Sequence, residues 1–126
     1  MVKLKMMYTN ADTLTTKMRE LNLLVNNEKI DVLLVTEVKP KYSLENVTKQ
    51  QFEIEGYELF PNVEADMSHR GINIYVTDHL ATLTHEIVLS ENFKESVWIE
   101  TKLGYNDKTI IGCAYRMVQE MAAPIQ

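Results

Sequence analysis

The sequence predicts an α/β fold that opens with a strand, a helix and a second strand. From Val2 to Met6 apolar residues alternate with lysines, and Met7 and Tyr8 then continue the run without a polar break, which indicates a strand that becomes buried on both faces. An amphipathic segment and a second apolar segment follow before residue 39. Two strands joined by a helix in this way pair in parallel with a right-handed crossover, so we expect a right-handed βαβ unit.

The segment after Asp12 has the periodicity of an amphipathic helix. Its apolar residues recur at the three- and four-residue spacing of one helix face, and charged residues occupy the other faces. These apolar residues are Leu14, Met18, Leu21, Leu24 and Val25. Either Asp12 or Thr13 could cap the helix, because each has a short side-chain oxygen that can accept amide hydrogens of the first turn. The sequence leaves that choice open.

Further strands are predicted along the rest of the chain. Ile30 to Val38 is almost continuously apolar, which is typical of a central parallel strand covered on both faces. Residues 39–52 are polar and predict a loop with a short helix. Four more strands are predicted: Tyr57 to Phe60, Gly71 to Val76, Val97 to Leu103 and Thr109 to Tyr115. Residues 104–108 are predicted to join the last two as a hairpin. We expect one domain over residues 1–116 and a loosely ordered tail over residues 117–126.

Composition excludes several classes of protein. The chain has 126 residues, 45% of them hydrophobic and 25% charged, which argues against a disordered, fibrous or disulfide-stapled chain. Lys3 and Lys5 interrupt the apolar N-terminus, and no run approaches the ~20 apolar residues of a membrane span, so we expect no membrane association. A lone cysteine, Cys113, fits a reducing compartment, so the cytosol or the nucleus is expected.

The net charge bears on nucleic-acid binding. The chain carries 18 acidic and 13 basic residues, a formal charge of −5, whereas proteins held on DNA mainly by phosphate neutralisation are basic. Any contact with DNA is therefore expected to be local and weak. Lys39, Lys41 and Lys49 with Tyr42 are candidates for such a contact, and a solvated loop is the alternative.

Three segments together resemble a known family. They are Tyr8 to Leu14, Asp31 to Val38 and Ile110 to Arg116, with similar strands at Arg70 to Val76 and Ser96 to Glu100. Their order and spacing resemble the endonuclease/exonuclease/phosphatase superfamily, most closely the endonuclease domains of non-LTR retrotransposons. The likeness covers the N-terminal half of such a domain. It implies a partial two-sheet α/β sandwich of the DNase I-like type.

The resemblance also implies a site for phosphodiester hydrolysis. That reaction needs a hard cation to neutralise charge on the phosphate, and Mg²⁺ binds through one or two carboxylates. By resemblance Glu37 is the metal ligand, Asn10 orients the metal shell or the phosphate, Tyr115 directs its hydroxyl to the phosphate, and Arg116 supports the site electrostatically. From the residues alone, Glu37 is an ordinary carboxylate, Asn10 a turn residue and Tyr115 a core aromatic.

Two motifs that the family carries further on, after the Tyr-Arg pair, have no counterpart after Arg116 in these 126 residues. They are an Asp-x-Asn motif and a closing Asp-His pair, which act on the nucleophile and the attacking water. The resemblance therefore implies a truncated metal-dependent endonuclease domain that is inactive alone. A non-catalytic interaction module and one half of a split enzyme, completed by another chain, are the alternatives. His69, His79 and His85 fit no metal-binding pattern.

An incomplete sandwich would leave an apolar face uncovered. The residues expected on that face are Ile72, Ile74, Val76, Ile99 and Ile111. We therefore expect the chain to self-associate or to be poorly soluble.

Overall fold

The part of the chain that the structure describes forms two β-sheets and one helix of 11 residues, which stack in three layers. The computed structural model describes residues 3–40, 49–62, 70–88, 95–104 and 107–114. The strands are β1 (Met6–Asn10), β2 (Val32–Thr36), β3 (Tyr57–Asn62), β4 (Ile72–Thr77), β5 (Thr84–Ile87), β6 (Ser96–Gly104) and β7 (Asp107–Ala114). The helices are α1 (Met18–Glu28) and the single turn α2 (Asp78–Ala81), with 3-10 helices at Leu14–Thr16 and Lys49–Phe52.

The first sheet has four strands in the order β1, β2, β4, β3, and the second has three in the order β5, β6, β7. β1 and β2 are parallel, as the predicted βαβ unit requires, with Met6 opposite Val32 and Asn10 opposite Thr36. All other pairings are antiparallel among the described strands. The head of β4 therefore lies beside the end of β2, where Ile72 is opposite Thr36.

Helix α1 begins later than the sequence suggested. Its first residue is Met18, because the 3-10 turn Leu14–Thr16 intervenes, and no side chain caps its start. The expectation that Asp12 or Thr13 caps this helix is wrong. The helix ends where Lys29 adopts a left-handed conformation (φ 53°), and Ile30 N–H donates to the Val25 carbonyl at 3.1 Å in a Schellman-type closure.

The core has two parts, one on each face of the four-stranded sheet. On one face of the four-stranded sheet, Leu33 and Val35 of β2 pack with Tyr75 of β4 under Leu21 and Val25 of α1. On the other face, residues of β2 and β4 pack against the second sheet. Successive side chains of a strand point to opposite faces, so one buried strand serves both cores.

The predicted uncovered apolar face is wrong. Ile72, Ile74, Val76, Ile99 and Ile111 are each at most 5% exposed, and all five belong to one buried cluster between the sheets. The reason is topological, because after α2 the chain turns back and builds β5, β6 and β7 over β4. The described part of the chain thus contributes both layers of its own sandwich.

The remaining elements agree with the sequence except at the single turn α2 and at β5, neither of which was predicted. The four residues of β5 are short and mostly polar, so their pattern does not differ from that of a loop. Residues 115–126, which include Tyr115, Arg116 and the predicted tail, lie outside the described residues. Within the described ranges, no helix has the length and apolar character needed to cross a membrane.

Candidate functional site

Strands β1 and β2 end side by side, and this brings two predicted site residues together. Asn10 is the last residue of β1, opposite Thr36, and Glu37 follows Thr36 directly. Ala11 N–H donates to the Thr36 carbonyl at 2.9 Å, and Thr13 N–H donates to the Glu37 carbonyl at 2.8 Å. Parallel pairing therefore brings Asn10 and Glu37 to the same edge of the sheet.

The side chain of Asn10 helps to shape the loop that follows it. Its Oδ1 accepts the backbone N–H of Asp12 at 3.1 Å, an Asx-turn contact, while the residue itself is exposed. On the other side of the loop, Lys17 Nζ donates to the Ala11 carbonyl and, at 3.4 Å, to the Asp12 carbonyl. The loop after β1 is thus held by a side chain from each end.

Unusual backbone conformations concentrate at this edge. Asp12 (φ 45°), Thr13 (φ 81°) and Glu37 (φ 55°) are three of the four non-glycine residues with positive φ in the described chain, the fourth being Lys29. Such conformations cost on the order of 1–3 kcal/mol each and cluster at functional sites. The two loops are held in this shape by hydrogen bonds between them, including Leu14 N–H to the Val38 carbonyl at 2.8 Å.

A buried arginine that the sequence analysis did not single out joins the two loops. Arg70 Nη1 donates to Glu37 Oε1 at 2.5 Å, and Nη2 donates to Asp12 Oδ1 at 2.7 Å. The Arg70 side chain is only 7% exposed, against 14% for Glu37 and 73% for Asp12. Arg70 stands at the head of β4, and the antiparallel pairing of β4 with β2 delivers it to this edge.

The main chain around Arg70 is also fixed. Glu95 Oε1 accepts the N–H of Arg70 at 2.8 Å and that of Gly71 at 2.9 Å, which ties the entrance of β6 to the head of β4. Lys39 N–H donates to the Arg70 carbonyl at 2.6 Å. Lys39 itself is 1% exposed, so the suggestion that it lies in a solvated or DNA-contacting loop is wrong.

Other residues named from the sequence lie elsewhere or outside the described part. Lys49 is exposed, whereas Lys41 and Tyr42 lie outside the described residues. His79 on α2 and His85 on β5 are exposed, and His69 is also outside. β7 ends at Ala114, opposite Ser96, and Tyr115 and Arg116 lie outside the described residues.

The carboxylate and amide oxygens at this edge are of the kind that a hard cation such as Mg²⁺ binds. No group of three or more His, Cys, Asp or Glu residues suited to a metal occurs in the ranges that the structure describes. Mg²⁺ needs only one or two carboxylates, since water and phosphate complete its shell. Glu37, Asp12 and the Asn10 amide supply oxygen atoms of that kind. A cation here would have to share the two carboxylates with Arg70.

A second acidic region lies at the opposite end of β4. It is an open cavity of about 650 Å³ whose lining includes Glu53, Glu55, Glu58 and Asp78. Tyr57 at the start of β3 pairs there with Thr77 at the end of β4, whereas the Arg70 edge adjoins Ile72. The two acidic regions are therefore separated by the length of the strand.

Comparisons with known proteins support the fold and its relationship. The chain is 25% identical over 115 residues to the probable RNA-directed DNA polymerase from transposon BS of Drosophila melanogaster, a match that covers 88% of this chain and 12% of that protein. The crystal structure of an AP endonuclease from Leishmania major superposes with a TM-score of 0.66 at 15% identity, covering 89% of this chain and 40% of that one. No family model matches the chain.

These comparisons confirm the predicted resemblance and the DNase I-like α/β fold. The chain spans less than half the length of either protein that it matches.

Proposed function

We propose that this chain is the N-terminal part of a metal-dependent, phosphodiester-cleaving endonuclease domain of the retrotransposon type. The observation that carries the proposal is the convergence of Glu37 and Asn10 at the tips of two neighbouring parallel strands. This convergence occurs in a chain that has the fold of an AP endonuclease and a sequence similar to that of a transposon protein.

In this proposal the residues at the ends of β1 and β2 have different roles in binding a cation and a phosphate. Glu37 anchors the cation, and Asn10, whose Oδ1 already holds the loop, uses its amide group to orient the cation shell or the phosphate. Mg²⁺, when bound, supplies charge neutralisation at the phosphate oxygens. Tyr115 and Arg116 keep the roles that the resemblance implies, contact of a hydroxyl with the phosphate and electrostatic support of the site.

We further propose that these 126 residues alone do not cleave DNA. No aspartate or histidine follows Asp107, so the Asp-x-Asn and Asp-His motifs of the family have no counterpart after residue 116. Groups that act as a unit in catalysis lose nearly all turnover when some are missing. The charge of −5 makes DNA binding by the isolated chain weak.

Two measurements on the 126-residue chain test the proposal. Calorimetric titration with Mn²⁺ compares the wild type with Glu37→Gln and with Glu86→Gln. Glu86 is an exposed carboxylate on the other sheet, so its replacement by Gln is the matched control. We expect the first variant to lose at least about tenfold in affinity, since one carboxylate supplies most of the protein contribution, and the control to match the wild type. Equal affinity in all three proteins would refute the metal role.

Plasmid nicking in Mg²⁺ tests the proposed loss of activity. We expect no cleavage above that of Glu37→Gln, because the partner motifs are absent. Cleavage by the wild type that disappears in Glu37→Gln and persists in Glu86→Gln would contradict the proposed inactivity and leave the metal role intact.

Association with a second chain through a strand edge is the second candidate function. In that case this chain is one half of a split enzyme or a binding module. In the described part β1 and β3 are the edge strands of the first sheet and β5 and β7 those of the second, and Met6 and Tyr8 on β1 are 44% and 56% exposed. Unpaired strand edges are ready sites for another chain. If this edge mediates association, light scattering should show oligomers of the wild type and monomers of Met6→Lys. A monomeric wild type would argue against self-association.

A further inference from the structure

Two carboxylates from different loops converge on one guanidinium group. Asp12 follows β1 and Glu37 follows β2, yet each gives one oxygen to Arg70, at 2.7 Å and 2.5 Å. The planar fork of arginine can bind two acceptors at once in a fixed geometry. Two like charges brought this close repel each other unless a cation lies between them. Arg70 supplies that cation in the chain itself.

Arg70 is fixed independently of the two carboxylates. Its Nε donates to the Lys39 carbonyl at 3.2 Å, its carbonyl accepts Lys39 N–H at 2.6 Å, and its own N–H donates to Glu95 at 2.8 Å. With 7% of the side chain exposed, little room remains for another position. These contacts fix the position of the guanidinium without Asp12 and Glu37. The two carboxylates are therefore positioned by Arg70, and not the reverse.

We infer that Arg70 is a positioning residue that holds Asp12 and Glu37 at the strand tips and competes with a divalent cation for them. The inference rests on the proposed function, because it assigns Glu37 to the cation. A cation entering between the carboxylates meets a positive charge that is already hydrogen-bonded to both. Arg70 thus keeps the acidic edge assembled without a cation and lowers the affinity of that edge for one.

Removing the charge of Arg70 separates these two effects. In Arg70→Met the side chain keeps much of its length but the carboxylates face each other uncompensated, so the melting temperature falls in the absence of cation. The same variant binds Mn²⁺ more tightly, by roughly tenfold, because one unit of positive charge a few ångströms from the site is gone. Its melting temperature also rises more with Mn²⁺ than that of the wild type.

The experiment compares the wild type, Arg70→Met, Arg70→Lys and Arg19→Met by Mn²⁺ calorimetry and by thermal melting with and without Mn²⁺. Arg70→Lys keeps the charge and should bind Mn²⁺ much as the wild type does. Arg19 is an exposed residue of α1, and its replacement by Met controls for loss of one positive charge elsewhere. A folded Arg70→Met that binds Mn²⁺ no more tightly than the wild type would overturn the inference.

A measurement on the wild type keeps the test decisive if Arg70→Met does not fold. The Nε–H resonance of Arg70 is followed by ¹⁵N NMR as Mg²⁺ is added, and we expect it to shift together with the amide resonance of Glu37. An unchanged Arg70 resonance, with shifts at the amides of Glu37 and Val38, overturns competition while sparing the proposed function. If neither the wild type nor any variant binds the cation in a manner that depends on Glu37, the proposed function fails and the inference fails with it.

Discussion

At the scale of single residues, Glu37 combines a strained backbone with a charged contact. Its φ of 55° favours glycine or asparagine, at a cost of roughly 1–2 kcal/mol for another residue. Its carboxylate is one of two that neutralise the buried Arg70, and removing one partner from a buried ion pair costs on the order of 3–5 kcal/mol. Glu37 therefore helps to balance the charge of a buried guanidinium from a backbone conformation that is unfavourable for glutamate.

Cys113 gives a prediction about reactivity. The thiol lies in the core between the sheets at 8% exposure, and burial raises its pKa to about 11. Since the thiolate is the nucleophile, alkylation of the native protein by iodoacetamide at neutral pH should be slow and should become fast in denaturant. A native thiol that reacts at the rate of the denatured one would contradict the described burial.

The same shift has a consequence for stability. The folded pKa lies above the ordinary value of 9.0, so the contribution of Cys113 is complete below pH 9 and is lost as the pH rises through about 11. Cys113→Ala should lack this part of the alkaline loss, as measured by denaturant unfolding across that pH range.

The residues of the candidate site were only partly predictable. Asn10 and Glu37 were named through the family resemblance, because the residues alone indicate a turn residue and an ordinary carboxylate. Asp12 and Arg70 were missed as a pair, because their contact depends on β4 running antiparallel beside β2. Nothing in the local sequence of Arg70 indicates that its side chain contacts Glu37, which follows β2. The roles of Asn10, Glu37, Tyr115 and Arg116 stay predictions.

At the scale of elements, the hairpin of β6 and β7 contains one close approach that requires glycine. Gly112 is opposite Trp98, whose ring lies over it, and a Cβ on Gly112 would come within 2.7 Å of Cδ2 and closer still to Cε3. Gly112→Ala should therefore destabilise the protein by roughly 1–3 kcal/mol, the usual cost of overpacking. Urea denaturation measures this difference.

The matched control for that prediction is the double variant Gly112→Ala with Trp98→Leu. If the ring causes the clash, Gly112→Ala should cost less in the Trp98→Leu background than in the wild type. Equal costs in the two backgrounds would show that the strand, and not the indole, requires glycine at this position.

Predictability of the elements followed the strength of their pattern. β2 and α1 have long apolar or periodic segments and were found, whereas β5 has four mostly polar residues and was not. The start of α1 was wrong because Leu14 continues the helical spacing while the backbone forms a 3-10 turn there. Periodicity reports which face is buried and does not distinguish the two helix types.

At the scale of the whole molecule, stability depends on the core between the sheets. Ile99 of β6 is fully buried there, whereas Ile110 of β7 is 52% exposed. Ile99→Ala should lower the free energy of unfolding by about 2–5 kcal/mol, the range for large-to-small changes in a core. Ile110→Ala should cost less than about 0.5 kcal/mol, as surface changes usually do. Similar losses for both would contradict the two-layer packing.

The two sheets were expected from the resemblance, but their packing on each other within this chain was not. The sequence identified the apolar faces of β4, β6 and β7 but not that they face one another. That pairing depends on the reversal of the chain at α2, a single turn with no strong signal of its own. The expected apolar patch was wrong for this reason, although the residues assigned to it were all core residues.

The central claim is that the strand tips carrying Asn10 and Glu37 form a cation site, and paramagnetic NMR tests it most directly. As Mn²⁺ is added, the amide signals of Ala11, Glu37 and Gly71 should broaden first, and Glu37→Gln should abolish this effect. Signals near Tyr57, at the other end of the sheet, should persist. Broadening that begins around Glu53 and Glu55 and spares the strand tips would contradict the account.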